Sequence, residues 1–397
     1  MTAPRLLTLN AGSSSLKFAV YDATGDLPLR LSGQVSGLHG NPRLQARVGL
    51  EVVADEAWTG TDALDAVLQR TFGWLDRAGW REGLVGVGHR IVHGGLDFRE
   101  PTALSAAVMG RLEALAPLAP LHQPFNLRGV ALATGHFPDA LQVGVFDTAF
   151  HAGQPAVARL YALPRDLIDE GVLAYGFHGL SYDYIAGALR KQEGPEAGGR
   201  AIVLHLGSGV SLCALARGQS VATTMGFSAL EGPPMSTRSG SLDPGVVLHL
   251  LHAKGMSVEA VTDLLYHRSG LLGLSGLSGD MLTLLASDLP HARQALEVYV
   301  YRIAREIGSL SAALGGLDTL VFTAGVGENA DLIRARIVEQ CAWLGVHLDA
   351  QANTGGARQI SLPGRVKALV IPTDEQAVIA RGVAALLADR ADGQTGP

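Results

Sequence analysis

A strand, a small polar turn and a second strand occur in succession twice in this chain, once near its beginning and once in its second half. The three parts span residues 6–9, 10–15 and 16–21 in the first copy and 201–206, 207–209 and 210–215 in the second. Apolar and polar residues alternate over 16–21, as in a half-buried strand. The copies are separated by far more than the roughly 20–50 residues of a solenoid repeat, so they indicate a duplicated domain.

Helical and strand patterns alternate in the rest of the chain, which predicts an α/β fold. Amphipathic helices are expected over 62–77 and from about 291 to 314, where apolar residues recur on one face. Strands are expected over 84–87, 142–146, 319–323 and 368–371, each followed by a polar or glycine-rich turn.

The chain has 397 residues, which exceeds the size at which one hydrophobic core usually stops growing. We therefore expect an N-terminal domain over 1–150, completed by a C-terminal helix over 377–397, and a second domain over 151–376. Ligand sites favour the clefts between domains, so the site is expected there.

The charge and the composition exclude several classes of partner. A formal net charge of -6 offers no basic surface for nucleic acid or for an anionic membrane, so small-molecule partners are favoured. No apolar run is long enough to span a bilayer as a helix. The two cysteines, Cys213 and Cys341, lack metal-ligand spacing and are predicted to be buried thiols. These features, with no secretory signal pattern at the N-terminus, predict a cytoplasmic protein.

The turn at residues 10–17, N-A-G-S-S-S-L-K, offers hydroxyls, backbone N–H groups and an ammonium group within a short span, which suits phosphate oxygens. An ordinary hairpin with an exposed lysine is the alternative. Only four of the 31 basic residues are lysines, so Lys17 is not the usual cation of this chain, and a compact ammonium charge suits a phosphate.

Two arginines are candidates for binding an anion. Arg90 lies in G-H-R-I-V-H-G-G, just past a predicted strand, and Arg238 lies in a loop of small residues. A guanidinium group can pair with a carboxylate or a phosphate through two hydrogen bonds, although a structural salt bridge is the commoner role for such an arginine. His89 and His93 have the spacing of zinc ligands on a helix, but no third ligand is near them in sequence.

Several other polar residues lie at strand ends or in loops. Asp147 ends an apolar strand, where open α/β sheets place ligand groups, while His122 and His178 lie in short loops. Asp243, followed by a proline, is predicted to cap a helix. The segment F-T-A-G-V-G-E-N-A, residues 322–330, is predicted to be a strand, a glycine loop and the start of a helix near Asp331. No P-loop pattern is present, so any nucleotide site has another architecture.

Taken together and in order, eight segments resemble the acetate kinase family from residue 6 to about residue 381. They are N-A-G-S-S-S-L-K, G-H-R-I-V-H-G-G, V-F-D-T-A-F-H, Y-G-F-H-G, H-L-G-S-G, M-G-F-S-A-L-E-G, T-A-G-V-G-E-N and P-T-D-E. The resemblance implies a duplicated actin-like (ribonuclease H-like) fold and a homodimer. It also implies reversible, direct in-line transfer of a phosphoryl group from ATP to acetate, giving acetyl phosphate and ADP.

The resemblance also implies roles for individual residues. Asn10 and Glu375 would hold Mg²⁺, with Mn²⁺ as an alternative ion, and Lys17, Ser13 and Ser15 would lie near the phosphates. Arg90 and Arg238 would flank the transferring group, His178 would donate to the transition state, and His122 would lie nearby. The residues implied at the nucleotide are His205, Leu206, Gly207, Ser208, Gly209, Asp280, Met281, Leu282, Gly325, Val326, Gly327, Glu328 and Asn329.

The chemistry agrees with a carboxylate acceptor. A carboxylic acid with a pKa near about 4 is ionised at neutral pH and needs no general base, whereas a hydroxyl acceptor benefits from one. The difficulty is the repulsion between two anions, which arginines, a histidine and Mg²⁺ would offset. Asp147 would then orient an arginine or a histidine, or act more directly, and both roles stay open.

Two positions depart from the family pattern: Ser208 replaces a common asparagine, and Leu282 stands where many members carry arginine. The resemblance implies an acyl pocket formed by Val92, Leu121, Phe177 and Ala229, where alanine replaces a familiar proline. A smaller side chain at that position would leave room for propionate, so a propionate or other short-chain acid kinase is one alternative. A non-catalytic actin-like nucleotide-binding module is the other.

Overall fold

A computed structural model of the chain describes residues 3–12, 15–38, 40–59, 64–120, 122–196 and 198–393. Contacts between residues divide the chain into two compact units. Unit 1 consists of Met1–Phe150 together with Asp374–Pro397, and unit 2 consists of His151–Thr373. Each unit is built around one β-sheet. No helix in the described ranges is both long and apolar enough to cross a membrane.

The strands of unit 1 are β1 (Arg5–Ala11), β2 (Ser15–Asp22), β3 (Leu29–Ser36), β4 (Arg43–Val48), β5 (Glu51–Ala57), β6 (Leu84–Ile91), β7 (Thr102–Ala103) and β8 (Leu141–Phe146). Those of unit 2 are β9 (Arg200–Leu206), β10 (Val210–Ala216), β11 (Gln219–Thr223), β12 (Thr319–Thr323) and β13 (Lys367–Val370).

The α-helices of unit 1 are α1 (Leu64–Arg77), α2 (Ala106–Glu113), α3 (Gln123–His136) and, at the end of the chain, α15 (Glu375–Gly393). Those of unit 2 are α4 (Ala156–Arg159), α5 (Arg165–Asp169), α6 (Gly179–Glu193), α7 (Pro244–His252), α8 (Val258–His267), α9 (Gly270–Ser275), α10 (Met281–Leu285), α11 (Pro290–Leu314), α12 (Ala324–Asn329), α13 (Asp331–Gln340) and α14 (Ala350–Thr354). Short 3₁₀ turns span Ala116–Leu118, Ala149–His151 and Ala342–Leu344.

The two sheets share one arrangement of strands. The sheet of unit 1 has the order β5-β4-β3-β2-β1-β6-β8-β7, and the sheet of unit 2 has the order β11-β10-β9-β12-β13. In each, an antiparallel pair, β1 with β2 or β9 with β10, lies beside two parallel strands, β6 and β8 or β12 and β13. The five strands of unit 2 therefore match β3-β2-β1-β6-β8 in order and direction. The prediction of an α/β fold with two related halves is confirmed.

Most of the predicted elements are present. Both repeated hairpins form, α1 buries the predicted face through Val67, Leu68, Phe72 and Leu75, and α11 ends at the predicted residue. Asp243 caps α7 by accepting a hydrogen bond from the backbone N–H of Gly245, and both cysteines are buried and unpaired.

Two features differ from the prediction. The antiparallel extension β3–β5 was not expected, because its strands bury few apolar residues and carry several charged ones. The predicted glycine loop after β12 is instead the short helix α12, for a reason described with the site below.

His89 is a buried polar residue in the parallel part of the unit 1 sheet. It lies on β6, is 3% exposed, and its Nε2 is 2.8 Å from Oε1 of Gln142 on β8. The side-chain amide of Gln142 donates to the carbonyls of Phe137 and Ala140, so its oxygen is the acceptor and the imidazole carries its proton on Nε2. Burial lowers the pKa of His89 to about 4, so the ring is neutral at neutral pH.

The neutral state of His89 makes the free energy of unfolding depend on pH. A histidine in the unfolded chain takes up a proton below about pH 6.5, whereas the folded ring resists protonation until about pH 4. This stabilisation is therefore fully present above about pH 6.5 and is lost as the pH falls towards 4. We expect His89→Gln to reduce the slope of stability against pH by up to about 1.4 kcal/mol per pH unit in that window.

The free energy of unfolding of the wild type and of the variant is measured by urea unfolding at several pH values between about 7 and 4.5. Burial also lowers the pKa of His93 and of His151 to about 4, so part of the slope is expected to remain in the variant. An unchanged slope in His89→Gln would contradict the prediction.

Candidate active site

Arg90 and Asp147 form a buried ion pair in unit 1. Arg90 lies on β6, and Asp147 directly follows β8, the parallel neighbour of β6, so the carboxyl ends of both strands meet at one edge of the sheet. Arg90 Nη2 is 2.5 Å from Asp147 Oδ2, and Arg90 Nε is 3.1 Å from both carboxylate oxygens. The side chain of Asp147 is 1% exposed and that of Arg90 is 15% exposed.

The charge on Arg90 is stabilised by two carboxylates. Burial disfavours the charged guanidinium, but attraction to Asp147 and to Glu375, together with the hydrogen bonds to Asp147, outweighs this and raises the pKa above its ordinary value. The side chain is therefore a permanent cation.

Asn10 connects Arg90 to Glu375. Arg90 Nη1 donates to Asn10 Oδ1 at 3.4 Å, and Asn10 Nδ2 donates to Glu375 Oε2 at 2.7 Å. Asn10 lies near the end of β1, and Glu375 is the first residue of α15. We call these four residues, Asn10, Arg90, Asp147 and Glu375, the unit 1 cluster. The structure thus brings together one predicted arginine, both predicted metal ligands and the aspartate whose role was left open.

The oxygens of the unit 1 cluster suit a hard cation. Mg²⁺ binds oxygen donors and usually takes only one or two carboxylates from the protein, its other ligands being water and substrate phosphates. Asn10 and Glu375 offer one amide oxygen and one carboxylate of this kind. Among the described residues, no group of three or more His, Cys, Asp or Glu could hold a metal ion.

Lys17 lies beside the unit 1 cluster on β2. It pairs with Asn10 across the antiparallel ladder, which puts the two side chains on the same face of the sheet. Lys17 is exposed and lines a trough of about 350 Å³ whose other polar residues include Arg47, Asp374 and Gln376. The ammonium group is thus accessible to an anion.

The remaining predicted residues of unit 1 have separate positions. Ser15 begins β2, and Val92 is buried with its N–H donating to Asn126 Oδ1 at 2.9 Å. His122 immediately precedes α3. Ser13 and Leu121 lie outside the described residues.

In unit 2, His178 and His205 form a stacked pair of imidazole rings. Their centroids are 4.1 Å apart and their planes differ by 19°. His178 has a left-handed backbone with φ of 58° and precedes α6, while His205 lies on β9. Each Nδ1 is 2.8 Å from a serine hydroxyl, that of Ser211 for His178 and that of Ser181 for His205. We call His178 and His205 the imidazole pair.

The turn after His205 is fixed by backbone hydrogen bonds. Leu206 ends β9, the N–H of Gly207 donates to the carbonyl of Gly209 at 3.0 Å, and the carbonyl of Ser208 accepts from the N–H of Ser236 at 3.2 Å. The turn therefore contacts the loop that carries Arg238.

Arg238 lies close to one residue of the predicted acyl pocket. Its Nη1 donates to the carbonyl of Ala229 at 3.1 Å and is 3.9 Å from Met235 Sδ. Phe177, also predicted in that pocket, is 3% exposed, and its carbonyl accepts a hydrogen bond from His151 Nε2 at 3.0 Å. Phe177 and Ala229 belong to unit 2, whereas Val92 belongs to unit 1.

Asp280 acts as a helix cap. Its Oδ2 accepts from the backbone N–H and the hydroxyl of Thr283, both at 2.8 Å, and these bonds lower the pKa of the carboxyl. Met281 is buried, whereas Leu282 is 69% exposed. Of these three predicted nucleotide contacts, only Asp280 and Leu282 present side chains to solvent.

The predicted glycine loop is held as helix α12 by its own polar residues. Glu328 Oε1 accepts from the N–H of Ala324 at 2.8 Å and from that of Thr373 at 3.2 Å, and Asn329 Nδ2 donates to the carbonyl of Gly325 at 2.8 Å. The carboxylate of Glu328 therefore caps the N-terminus of α12, a position that the helix dipole also favours. Val326 and Gly327 lie inside this short helix.

A buried arginine fixes the other end of α12. Arg334 is 3% exposed and donates to the carbonyls of Gly327 and Glu328 at 3.0 and 2.8 Å. Its remaining hydrogen bonds go to the side chain and the carbonyl of Asn353. Burial lowers the pKa of Arg334 from its ordinary value, which means that burying this charge costs free energy. The buried arginine lies where the chain bends from α12 into α13.

Sequence reasoning missed five residues that support the site: Asn126, Ser181, Tyr182, Ser211 and Arg334. Ser181 and Tyr182 follow His178 by three and four residues, which is one helical turn. Ser211 is a hydroxyl inside an otherwise apolar strand. These patterns are visible in the sequence, but the hydrogen-bond partners of Ser181, Tyr182 and Ser211 lie far away in it.

This chain is similar to known proteins over nearly its whole length. It is 51% identical over 392 residues to the acetate kinase of Rhodopseudomonas palustris (strain TIE-1), covering 95% of this chain and 97% of that protein. The propionate kinase of Francisella tularensis subsp. tularensis SCHU S4 has a TM-score of 0.89 at 32% identity, covering 96% of this chain and 98% of that one. The acetate kinase of Porphyromonas gingivalis has a TM-score of 0.86 at 33% identity, covering 97% of this chain and 100% of that one.

The sequence pattern of the acetokinase family matches residues 5–381. This range includes both hairpins, the unit 1 cluster and the imidazole pair, and the solved relatives have the same overall fold. The predicted resemblance and the predicted duplicated actin-like fold are both confirmed. This chain belongs to the acetokinase family.

Proposed function

We propose that this protein is an acetate kinase, which transfers a phosphoryl group reversibly and in line between ATP and the carboxylate of acetate. The observation that carries the proposal is the 51% identity to an acetate kinase over 95% of the chain. The buried, permanently charged Arg90 supports it, because a reaction between two anions requires fixed positive charge.

Asp147 positions Arg90 in this proposal. An ionised acetate needs no general base, and Asp147 already accepts hydrogen bonds from two nitrogens of Arg90. The ion pair fixes the guanidinium, and a fixed charge costs no reorganisation when negative charge develops on the transferring group. Of the two roles left open by the sequence, orienting the arginine therefore has the stronger support.

Asn10 and Glu375 are proposed to hold Mg²⁺, with Mn²⁺ as a substitute. When bound, the ion would neutralise phosphate charge. Lys17, with Ser13 and Ser15, is proposed to contact the phosphates of ATP. The exposed position of Lys17 beside Asn10 supports this role.

Unit 2 is proposed to supply the other donors and the nucleotide contacts. Arg238 and His178 would act on the transferring group, with His122 of unit 1 also assigned to the reaction. Residues 205–209, 280–282 and 325–329 would contact the nucleotide. The short contacts that hold these three segments in defined conformations support such a role.

Acetate is proposed as the preferred acid, and propionate is the close alternative because one structural relative is a propionate kinase. The acyl pocket would comprise Val92, Leu121, Phe177 and Ala229. One methylene changes binding in an apolar pocket by only about 1–3 kcal/mol, so activity towards both acids is expected.

We propose that two copies of the chain associate through α7. Five of the nine residues of this helix are valine or leucine, yet none of the nine, all of which are described, is buried. Val246 is 46% exposed and Leu248 is 55% exposed, and Val258 on the neighbouring α8 is 65% exposed. Contiguous apolar surface of this kind usually marks an interface.

We also propose a cytoplasmic location. Neither cysteine forms a disulfide, which supports a reducing compartment.

Formation of acyl hydroxamate tests the proposed function. The protein is incubated with ATP, Mg²⁺, hydroxylamine as the trap, and acetate, propionate or butyrate in parallel. We expect most product from acetate, with propionate less efficient by at most about 200-fold, and no product once a chelator removes Mg²⁺. No hydroxamate from any acid would contradict the proposal and favour a nucleotide-binding module without catalysis.

Arg90→Ala and Arg238→Ala are each expected to lower kcat by about 100-fold or more, because each removes a fixed donor from the transferring group. Loss of Arg90 also leaves Asp147 buried without its partner, at a cost of about 3–5 kcal/mol in stability. Arg90→Lys is therefore included: it keeps a positive charge but not the planar fork, and it should fold while still losing turnover.

The control for these variants is Arg128→Ala, which breaks an exposed ion pair with Asp65 in the same unit. Surface pairs contribute little, so its kcat should equal that of the wild type. Circular dichroism and urea unfolding confirm that each variant is folded. Near-normal kcat in Arg90→Ala or Arg238→Ala would refute the assignment.

Leu248→Arg is expected to convert the dimer into a monomer, because it places a charge in the centre of the apolar face of α7. Light scattering coupled to size exclusion should give twice the chain mass for the wild type and the single chain mass for the variant. The control is Val157→Arg, an isolated valine that is 88% exposed on α4, which should leave the mass unchanged. A monomeric wild type, or a dimeric Leu248→Arg, would rule out this interface.

A further inference from the structure

A buried serine lies between two side chains at the start of α6. Ser211 Oγ is 2.8 Å from His178 Nδ1 and 2.5 Å from the hydroxyl of Tyr182. Ser211 lies on β10, and both Ser211 and Tyr182 are 0% exposed. The three groups form a continuous chain of hydrogen bonds, Tyr182–Ser211–His178, which reaches the imidazole pair from the interior of unit 2.

The direction of these hydrogen bonds decides where the imidazole of His178 carries its proton. A serine hydroxyl has a single proton, so it can donate to only one of its two neighbours. Burial raises the pKa of Tyr182 well above its ordinary value, so the phenol keeps its proton. The lone pair of a phenol oxygen is delocalised into the ring, which makes a phenol a better donor than acceptor. With Tyr182 as the donor to Ser211, the single proton of Ser211 is available for His178 Nδ1.

A nitrogen that accepts a hydrogen bond carries no proton, so this arrangement leaves the imidazole proton of His178 on Nε2. This nitrogen lies beside the turn at residues 207–209. A Cβ atom at Gly209 would be 3.2 Å from His178 Nε2 and 3.9 Å from Arg238 Nη1. The absence of a side chain at Gly209 therefore leaves space next to the two groups proposed to act on the transferring phosphoryl group.

The second ring of the imidazole pair is held in a similar way. His205 Nδ1 is 2.8 Å from the hydroxyl of Ser181, which is also 0% exposed. A Cβ atom at Gly207 would be 3.6 Å from His205 Nε2, so this ring too turns its Nε2 towards the glycine turn. Both rings are thus fixed through Nδ1 by buried serines and directed towards the same turn through Nε2.

We propose that Tyr182 and Ser211 are positioning residues that keep the proton of His178 on Nε2, so that the ring presents a fixed N–H donor to an oxygen of the transferring phosphoryl group. This inference rests on the proposed function. A donor whose tautomer and orientation are set before the reaction requires no rearrangement as negative charge develops. Hydrogen-bond partners also fix the tautomer of histidines in metal sites and catalytic triads, although there the partner accepts from the imidazole.

The first test is the ring-nitrogen NMR spectrum of His178 in the ¹⁵N-labelled protein without substrates, assigned by comparison with His178→Gln. In the wild type we expect Nδ1 at the position of an unprotonated nitrogen and Nε2 at that of a protonated one. Ser211→Ala removes the donor to Nδ1, and Tyr182→Phe removes the hydroxyl that directs Ser211 while keeping the ring. Both variants should give averaged nitrogen shifts, because the two tautomers then interconvert.

The kinetic test separates positioning from substrate binding. Ser211→Ala should lower kcat by about 10- to 100-fold, the range typical of partners that orient a histidine, with little change in the KM for ATP or acetate. Tyr182→Phe should lower kcat by a smaller factor, because Ser211 can still donate to Nδ1 for part of the time. Tyr182→Phe preserves the packing of the ring and so provides a second variant should Ser211→Ala fold poorly.

Unit 2 contains a matched control for Ser211→Ala. Ser220 is a second buried serine, and its Oγ is 2.9 Å from Nδ1 of His151, whose ring packs edge-on against Tyr182. Ser220→Ala therefore removes a serine–histidine hydrogen bond from the same interior without touching His178. We expect it to lose stability but to keep the wild-type kcat and the wild-type His178 spectrum.

Three results would overturn the inference: a wild-type His178 protonated on Nδ1, a Ser211→Ala protein with unchanged nitrogen shifts and kcat, or a Ser220→Ala protein that loses as much kcat as Ser211→Ala. Failure of the proposed function would be a different result, namely no acyl hydroxamate from the wild type. The spectrum is recorded without substrates, so it decides the tautomer in either case.

Discussion

The parallel pairing of β6 with β8 places the guanidinium of Arg90 against the carboxylate of Asp147, and the polar end of unit 1 is organised around this contact. A carboxylate that is 1% exposed would be costly without a partner, and the arginine supplies the opposite charge through two of its nitrogens. Arg90 in turn contacts Asn10, and Asn10 contacts Glu375. The buried pair therefore sets the positions of the residues proposed to hold the metal ion.

In unit 2 the imidazole pair is held by neutral partners. Each ring bonds to a serine hydroxyl, and the buried Arg334 bonds to carbonyl and amide oxygens. A serine hydroxyl orients an imidazole ring without adding a charge that would alter the pKa of the neighbouring groups. Such an arrangement suits groups that must meet a highly charged nucleotide in a defined orientation.

The sequence predicted the elements whose signal is local. The apolar strands at the centres of both sheets, the helices α1 and α11 and the cap at Asp243 follow from periodicity and from turn chemistry, and all are present. The antiparallel extension β3–β5 was missed because its strands bury few apolar residues, and β5 buries only Ala54. Helix α12 was taken for a loop because its glycines favour turns, although Glu328 and Asn329 hold its backbone through contacts to residues only four positions earlier.

The sequence alone determined the α/β class, the duplicated halves, the family and the identities of the charged residues, since these depend on periodicity and on ordered motifs. Only the tertiary structure decided that Asp147 pairs with Arg90 and that Ser211 joins Tyr182 to His178. Asp147 and Arg90 are 57 residues apart, and Ser211 and His178 are 33 residues apart. The physical reason is that hydrogen bonds and ion pairs act over a few ångströms in space. The partner of a buried polar group is therefore set by which strands and helices become neighbours on folding.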